Sequence, residues 1–541
     1  MGEQALETDN SKASSKPTLW LLFTVLSVTL GSCVLVGYNI GVLNTPQTIV
    51  GLWIRRTKCI AKGGVPSEED GYQVGDMWCE KLDDQKEATM FSDNGELNTL
   101  WALLNSFIPG GSVVGAIGSS FLVNRFGPKK SMLLNNVFAI AACLLNSLAP
   151  TAGSVEMLIV GRFLAGINSG VTMCVAPTYL NEISPDHLRG AVGGSLELSF
   201  VFAIWVSTIF GLPSILGNLE HWHYLLVLAA VPTIFQLVTL PFCPDSPKYM
   251  YFKLQNEDDT LKVLSKLQGK VSAKKEMAAI KEEYSHSKDE RVITLKHLLV
   301  DPFLRRILLI ALGLHICQQF SGIDATMFYS TAIFRSAGMT GDAPLYATIG
   351  MGAINVVGAC ASLVLIEKAG RRILLLIGYT GSVVFLCIIT SSMLLHKYGA
   401  PTDEFPNAKN PYAFAAYVSA VSLVGFVVIF CTGPGPVPWI LTSEYFPQGP
   451  RAVAAGPAAA VNRFCSLVVA LAFPYMQAGL DEYLFVIFIV LNVCFIGFTY
   501  VYAMETKGKT TEEIQTELRR RMEGQPLTSE SRELMTINRK N

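Results

Sequence analysis

Twelve stretches of this chain are each apolar for about the 20 residues that a helix needs to cross a bilayer. They are Thr18–Leu43, Thr99–Val123, Ser131–Ala149, Val155–Leu180, Gly190–Leu216, Trp222–Cys243, Ile307–Phe334, Leu345–Ile366, Ile373–His396, Tyr412–Thr442, Ala452–Met476 and Tyr483–Ala503. A backbone in hydrocarbon must satisfy its own hydrogen bonds, so only helices and closed barrels span. These runs lack the two-residue alternation of a barrel strand. The expected class is therefore an all-α membrane protein. Composition agrees: half of the 541 residues are hydrophobic and 16% are charged, against about 25% in soluble domains. A net charge of −1 leaves no basic field to hold nucleic acid. The first run follows a polar tail, Met1–Pro17, and is too long for a signal-peptide core, so it is expected to stay. Leu6 stands where a myristoylation signal needs Ser or Thr.

Polar segments divide the chain. We expect a tail at 1–17, a six-helix bundle at 18–243 that includes an outer loop at 44–98, a helical linker at 244–306, a second six-helix bundle at 307–503 and a tail at 504–541. Short loops carry basic clusters, Arg125, Lys129 and Lys130 after span two and Lys368, Arg371 and Arg372 after span eight. The positive-inside rule puts both clusters, the linker and both termini in the cytoplasm. The loop 44–98 then faces outward. It holds two of the twelve cysteines, Cys59 and Cys79, for which an oxidising compartment predicts a disulfide. Within the linker, Lys262 to Leu267 and Glu276 to Tyr284 alternate charged and apolar faces as short surface helices do.

The chain also repeats itself. Glu182 and Arg189 recur as Glu444 and Arg451, Asp245-Ser246 as Glu505-Thr506, and Asn124-Arg125-Phe126-Gly127 as Glu367-Lys368-Ala369-Gly370. Matched charged turns after corresponding spans predict two parallel halves with a site between them near mid-membrane. Arg125, Glu182 and Arg189 end helices of one half; Glu367, Arg371, Glu444 and Arg451 end helices of the other. Ion pairs between the two sets are expected to act as an inner latch, each weak because the region is wet.

These loops resemble the signatures of the sugar porter family, within the major facilitator superfamily: Gly161-Arg162-Phe163, Glu182-Ile183-Ser184-Pro185, Pro244-Asp245-Ser246-Pro247, Glu367-Lys368-Ala369-Gly370-Arg371-Arg372 and Glu505-Thr506-Lys507-Gly508. Gly37-Tyr38-Asn39, Gln318-Gln319-Phe320-Ser321-Gly322 and Gly433-Pro434-Gly435-Pro436-Val437-Pro438-Trp439 are similar to animal facilitative hexose transporters. The resemblance implies a major facilitator fold in the plasma membrane and downhill uniport of a hexose, D-glucose foremost, by alternating access. It implies no cofactor and no nucleotide; the partners are the sugar and the lipid.

A pyranose offers hydroxyls and apolar C–H faces, so its pocket needs amides and aromatic surface. His315, Gln318, Gln319, Gly322, Thr326 and Tyr329 recur as one helical face of span seven. The resemblance implies that Gln318, Gln319, Asn355 and Asn462 bond the sugar and that Trp439 stacks on it. It makes Phe328 and Tyr329 an outer lid, with bending at Gly322 and at Gly433, Pro434 and Pro436. Polar side chains in spans also glue helices together, and for Asn44 both readings stand.

Where this pocket departs from the family it gains charge. Glu197 replaces a glutamine, Asp324 an asparagine and Arg463 a tryptophan; Ser466 replaces an asparagine, Cys431 a common glutamate, and His315 and Cys317 break a Gln-Leu-Ser triplet. A charge at mid-bilayer costs about 2.5–3.5 kcal/mol, so these residues should line water, with Arg463 paired to Glu197 or Asp324. The acid left over could make uptake depend on pH, and comparing Glu197→Gln with the parent from about pH 5.5 to 8 tests this, identical profiles excluding it. Proton-driven relatives carry an aspartate where Asn39 stands, which favours uncoupled transport. The alternatives are a proton symporter, a carrier of another polar solute or organic anion drawn to Arg463, and a transport-dead sensor. Gly508-Lys509-Thr510 lacks the first glycine and the strand of a phosphate loop. No metal-ligand spacing or nucleophile–base pair marks an enzyme.

Overall fold

Apolar runs too long for any soluble core become helices throughout this computed structural model, which describes residues 18–61, 64–67, 78–81, 89–90, 94–185, 188–289, 295–399 and 410–522. Eleven segments are long and apolar enough to cross a membrane. The last comprises two helices, Gln448–Leu480 and Leu484–Tyr502, separated by a single 3-10 turn, so twelve spans stand among the described residues. Local chemistry sets their ends. Ser154 caps span four by accepting from the Met157 amide, and Asp301 caps span seven by accepting from Phe303 and Leu304.

Four spans are interrupted, span six between Trp222–Val227 and Ala230–Thr239, and the interruptions of the other three matter most. Span one carries a π-helical turn at Thr29–Cys33. Span seven is two helices, Pro302–Gln319 and Ile323–Ser336, parted at Gly322, whose φ of 104° excludes most side chains. A second kink falls at Tyr329 (φ −130°, ψ 16°). Span ten is likewise divided, into Phe414–Thr432 and Val437–Tyr445. The expected breaks at Gly322 and at the glycine–proline run of span ten are therefore present.

Small residues bring the remaining spans close. A Cβ on Gly111 would meet the Phe163 carbonyl at 2.1 Å, and one on Gly170 the Ser112 carbonyl at 2.1 Å, so spans two and four cross backbone to backbone.

The apolar cores divide unevenly between the two ends of the molecule. One cluster at the outer end joins both halves, from Leu35, Leu43 and Trp101 to Phe328, Phe334, Phe426, Phe473 and Phe488. At the inner end each half has its own core, one around Tyr179, Leu180 and Leu240, the other around Leu314, Tyr379 and Tyr445. The halves share one core at the end that carries the loop after span one, termed outer, and have separate cores at the end that carries the linker, termed inner.

Outside the spans the chain is not wholly helical. The outer loop holds a helix, Gln47–Ala61, and three short antiparallel strands, Gly64–Ser67, Trp78–Lys81 and Thr89–Met90. These strands lie outside the spans and leave the all-α membrane class as expected; beyond the hydrocarbon, nothing compels a helical backbone. Cys59 is disulfide-bonded and the ten cysteines of the spans are free; the side chain of Cys79, on the second strand, lies outside the described residues. Four helices form the linker, Pro247–Leu254, Glu257–Gln268, Lys270–Asp289 and Leu295–Val300. It docks on span one, where Thr18 Oγ1 donates to the Leu267 carbonyl (2.7 Å). A tail helix, Thr511–Met522, packs Ile514 and Leu518 into the inner core of the second half.

Candidate functional site

Where span seven breaks, its last turn faces the break of span ten and the middle of span eleven, and polar side chains collect there. Asn462, fully buried, is the hub. Its Oδ1 accepts from Gln319 Nε2 (3.0 Å) and from Arg463 Nε (3.0 Å) and Nη2. Its Nδ2 donates to Gln318 Oε1 (2.6 Å) and lies 3.3 Å from His315 Nδ1. Gln318 Nε2 in turn donates to the Gly435 carbonyl inside the span-ten break. The Trp439 ring stands edge-on to His315, centroids 4.6 Å apart.

Five of the nine anticipated binding residues are thus joined by hydrogen bonds, and Trp439 touches that cluster through His315. Asn355 is held elsewhere: its Oδ1 accepts from Cys431 Sγ at 2.9 Å. Asp324 opens the second helix of span seven, where the helix dipole favours a carboxylate. Glu197 is exposed on span five and makes no hydrogen bond among the described residues. The expected ion pair of Arg463 is not a contact pair among the described residues: its hydrogen bonds go to the neighbouring amide. Arg463 and Ser466 also line, with Ile108, Ser112, Ser169 and Phe328, a small cavity beneath the outer seal.

That seal crosses the halves. Asn44 Nδ2 donates to the Met327 carbonyl (2.8 Å) and Ser330 Oγ (2.7 Å), and its Oδ1 accepts from the Thr331 amide (3.3 Å). Tyr329, fully buried, stacks on Phe473 at 4.7 Å and donates to the Ala470 carbonyl (2.8 Å). Phe328 is buried beside it.

At the inner end the repeat is visible as chemistry. Ser246 Oγ donates to Glu182, and Thr506 Oγ1 donates to Glu444 (2.5 Å), the same contact in each half. Glu444 also pairs with Arg371 (3.1 Å), and Arg189 lies 3.7 Å from Glu276 of the linker. Arg125 and Glu367 are exposed. These two pairs run within the second half and from the first half to the linker. Across the gap the repeat-related Arg189 and Arg451 lie within electrostatic range of each other, and like charges do not hold the halves together.

One charged residue was overlooked by the sequence reading, which treated it only as part of a signature. Arg162 is fully buried in span four and donates to the carbonyls of Asn39 (2.8 Å) and Leu104 (3.3 Å). An arginine in mid-span is costly enough to signal a role by itself. No group of three or more metal-ligating side chains occurs among the described residues.

Comparison with known proteins agrees with this geometry. The family described as sugar (and other) transporter matches residues 24–518. Mouse solute carrier family 2, facilitated glucose transporter member 4, is 36% identical over 96% of this chain and 94% of its own length. Member 3 from mouse is 37% identical over 93% of each chain, and member 1 from chicken 36% identical over 93% of this chain and 94% of its own. Among solved structures, the proton:xylose symporter XylE bound to 6-bromo-6-deoxy-D-glucose superposes with a TM-score of 0.69 at 22% identity, covering 92% of this chain and 99% of that one. The inward-open xylose transporter XylE from E. coli gives 0.67 at 22% identity over 92% and 99%. These two are alike in fold.

Proposed function

We propose that this chain, which belongs to the sugar transporter family, is a facilitative hexose transporter that moves D-glucose down its gradient by alternating access. The observation that carries this is the amide cluster of Gln318, Gln319 and Asn462 beside Trp439, set where two spans break between halves that are fused at one end only. The substrate enters from outside, exchanges its hydration for these amides, and leaves inward as the halves rock. Glu197, Asp324 and Arg463 give the pocket walls charge. Two carboxylates against one guanidinium make it a poor site for an organic anion. The protein is a plasma-membrane protein with both termini cytoplasmic and no catalytic function, and the outer loop is tied by Cys59 and Cys79.

Uncoupled transport follows from Arg162. Its guanidinium donates to the backbone carbonyls of Asn39 and Leu104 and faces no carboxylate among these contacts, while the Asn39 side chain, which donates to the Leu35 carbonyl, has no proton to release. In proteoliposomes, labelled D-glucose is expected to show counterflow that a protonophore leaves unchanged. Accumulation against a gradient, abolished by the protonophore, would mean symport; no equilibration of any hexose would end the transport reading.

The seal makes a further prediction. Asn44→Ala removes three hydrogen bonds between the halves, each worth about 0.5–1.5 kcal/mol. The outward-open population should rise about tenfold or more, and Cys431, at the pocket wall, should react correspondingly faster with an impermeant maleimide added outside. An unchanged labelling rate would show that the seal is apolar only.

A further inference from the structure

The hydrogen-bond pattern around Asn462 has a fixed direction, because each partner leaves the next only one role. Arg463 can only donate to Asn462, so the end it faces is the oxygen, which also accepts from Gln319 Nε2. Its amide nitrogen has two hydrogens and two acceptors, Gln318 Oε1 and His315 Nδ1. His315 Nδ1 is therefore unprotonated, which puts the ring hydrogen on Nε2. There it meets Thr442 Oγ1 at 3.2 Å. Thr442 has a single hydroxyl hydrogen, already donated to the Pro438 carbonyl at 2.8 Å, so its oxygen accepts from the imidazole. Both ends of the chain require the same tautomer.

Two branches thus leave one amide and end in span ten. Through Gln318 the first reaches the Gly435 carbonyl; through His315 and Thr442 the second reaches the Pro438 carbonyl. The first carbonyl lies in the interrupted stretch of span ten, the second in the first turn of the helix Val437–Tyr445 that follows it. His315 itself is fully buried and its ring supports Trp439. A sugar hydroxyl that accepts from the Asn462 amide nitrogen must displace Gln318 Oε1 or His315 Nδ1, and the displacement passes along the branch that it enters.

We infer that His315 is a positioning residue: it relays the hydrogen-bond state of Asn462 to the break of span ten through Thr442 and holds the Trp439 ring, so that filling the pocket is coupled to movement at that break. The inference rests on the transport reading above. It assigns Thr442, which reaches the cluster through His315, a share in turnover.

The test is a double-mutant cycle on the full-length protein in proteoliposomes, measuring maximal D-glucose exchange rate and half-saturating concentration. His315→Phe removes both ring nitrogens, and Thr442→Val cuts the far end isosterically. Each should lower the maximal rate about threefold to thirtyfold with little change in half-saturation. The double variant should be no slower than the worse single one. His315→Gln, which can accept and donate, should recover most of the rate. Thr442→Val turning over at the parent rate, multiplicative losses in the double variant, or a His315→Phe defect confined to half-saturation would each overturn the relay. Should His315→Phe fail to fold, Thr442→Val and His315→Gln still decide. A parent protein that exchanged no hexose would overturn the transport reading instead.

Discussion

Asn462→Ala is expected to lower hexose exchange by about ten- to a hundredfold, with the protein still inserted and folded. The estimate follows from what the truncation strands. Gln318, Gln319, His315 and Arg463 all spend a hydrogen bond on this one amide, and each stays behind in a buried site. A hydrogen bond to a charged group is worth about 1.5–3 kcal/mol, and the cost of leaving its donor unmatched is of the same order. The transition between states adds to this, since the sugar must exchange its own hydroxyls against the cluster. Asn462→Asp separates the contributions. It keeps the acceptor for Arg463 and Gln319 and loses both donors, so it should fall between the parent and Asn462→Ala. Initial rates normalised to reconstituted protein give the answer; exchange within twofold of the parent for Asn462→Ala would mean that the sugar binds elsewhere.

Much of this arrangement could be read from residue order. Length and apolarity gave the spans, because hydrocarbon permits so few backbones. The break at Gly322 and the polar face of span seven were visible as local pattern. What escaped is tertiary. Charge alone suggested that Arg463 pairs with a carboxylate, but its side chain folds back onto the amide beside it in sequence, while Asp324 sits in the first turn of its helix with Oδ2 buried and without a hydrogen bond among the described residues. Pairing depends on which atoms the breaks bring within reach, and no spacing in the chain encodes that. Thr442 escaped for the same reason, since its significance lies in a histidine 127 positions away. The inner charges were recognised as a repeat, yet their partners depend on the state of the cycle. Glu182 and Glu444 each accept from a hydroxyl at repeat-related positions, Ser246 and Thr506. Arg162 is different: its position in mid-span was there to be read, and only its acceptors were hidden.

The glycines of span ten distinguish packing from pliancy as the origin of its break. A Cβ on Gly433 would lie 2.2 Å from the Leu374 carbonyl oxygen and 2.5 Å from its carbon, both backbone atoms of span nine that cannot turn aside. A Cβ on Gly435 meets nothing nearer than the Phe430 ring at 3.3 Å, which can shift slightly. Were the break needed only for flexibility, alanine at either position would impair transport alike. If instead it lets span ten lie against span nine and present Gly435 and Pro438 to the pocket, the two substitutions must differ sharply. Gly433→Ala should cost about 1–3 kcal/mol of stability, as overpacking does, and displace the Gly435 carbonyl from Gln318. We expect exchange to fall at least about tenfold, whereas Gly435→Ala stays within about threefold of the parent. Because Gly378 meets Pro434 from the other side, its Cβ only 2.1 Å from the proline ring, Gly378→Ala should reproduce the Gly433→Ala defect although it changes a different span. Thermal stability and exchange measured on the three variants decide the matter: equal losses at Gly433 and Gly435, or a neutral Gly378→Ala, would assign the break to pliancy and not to close contact.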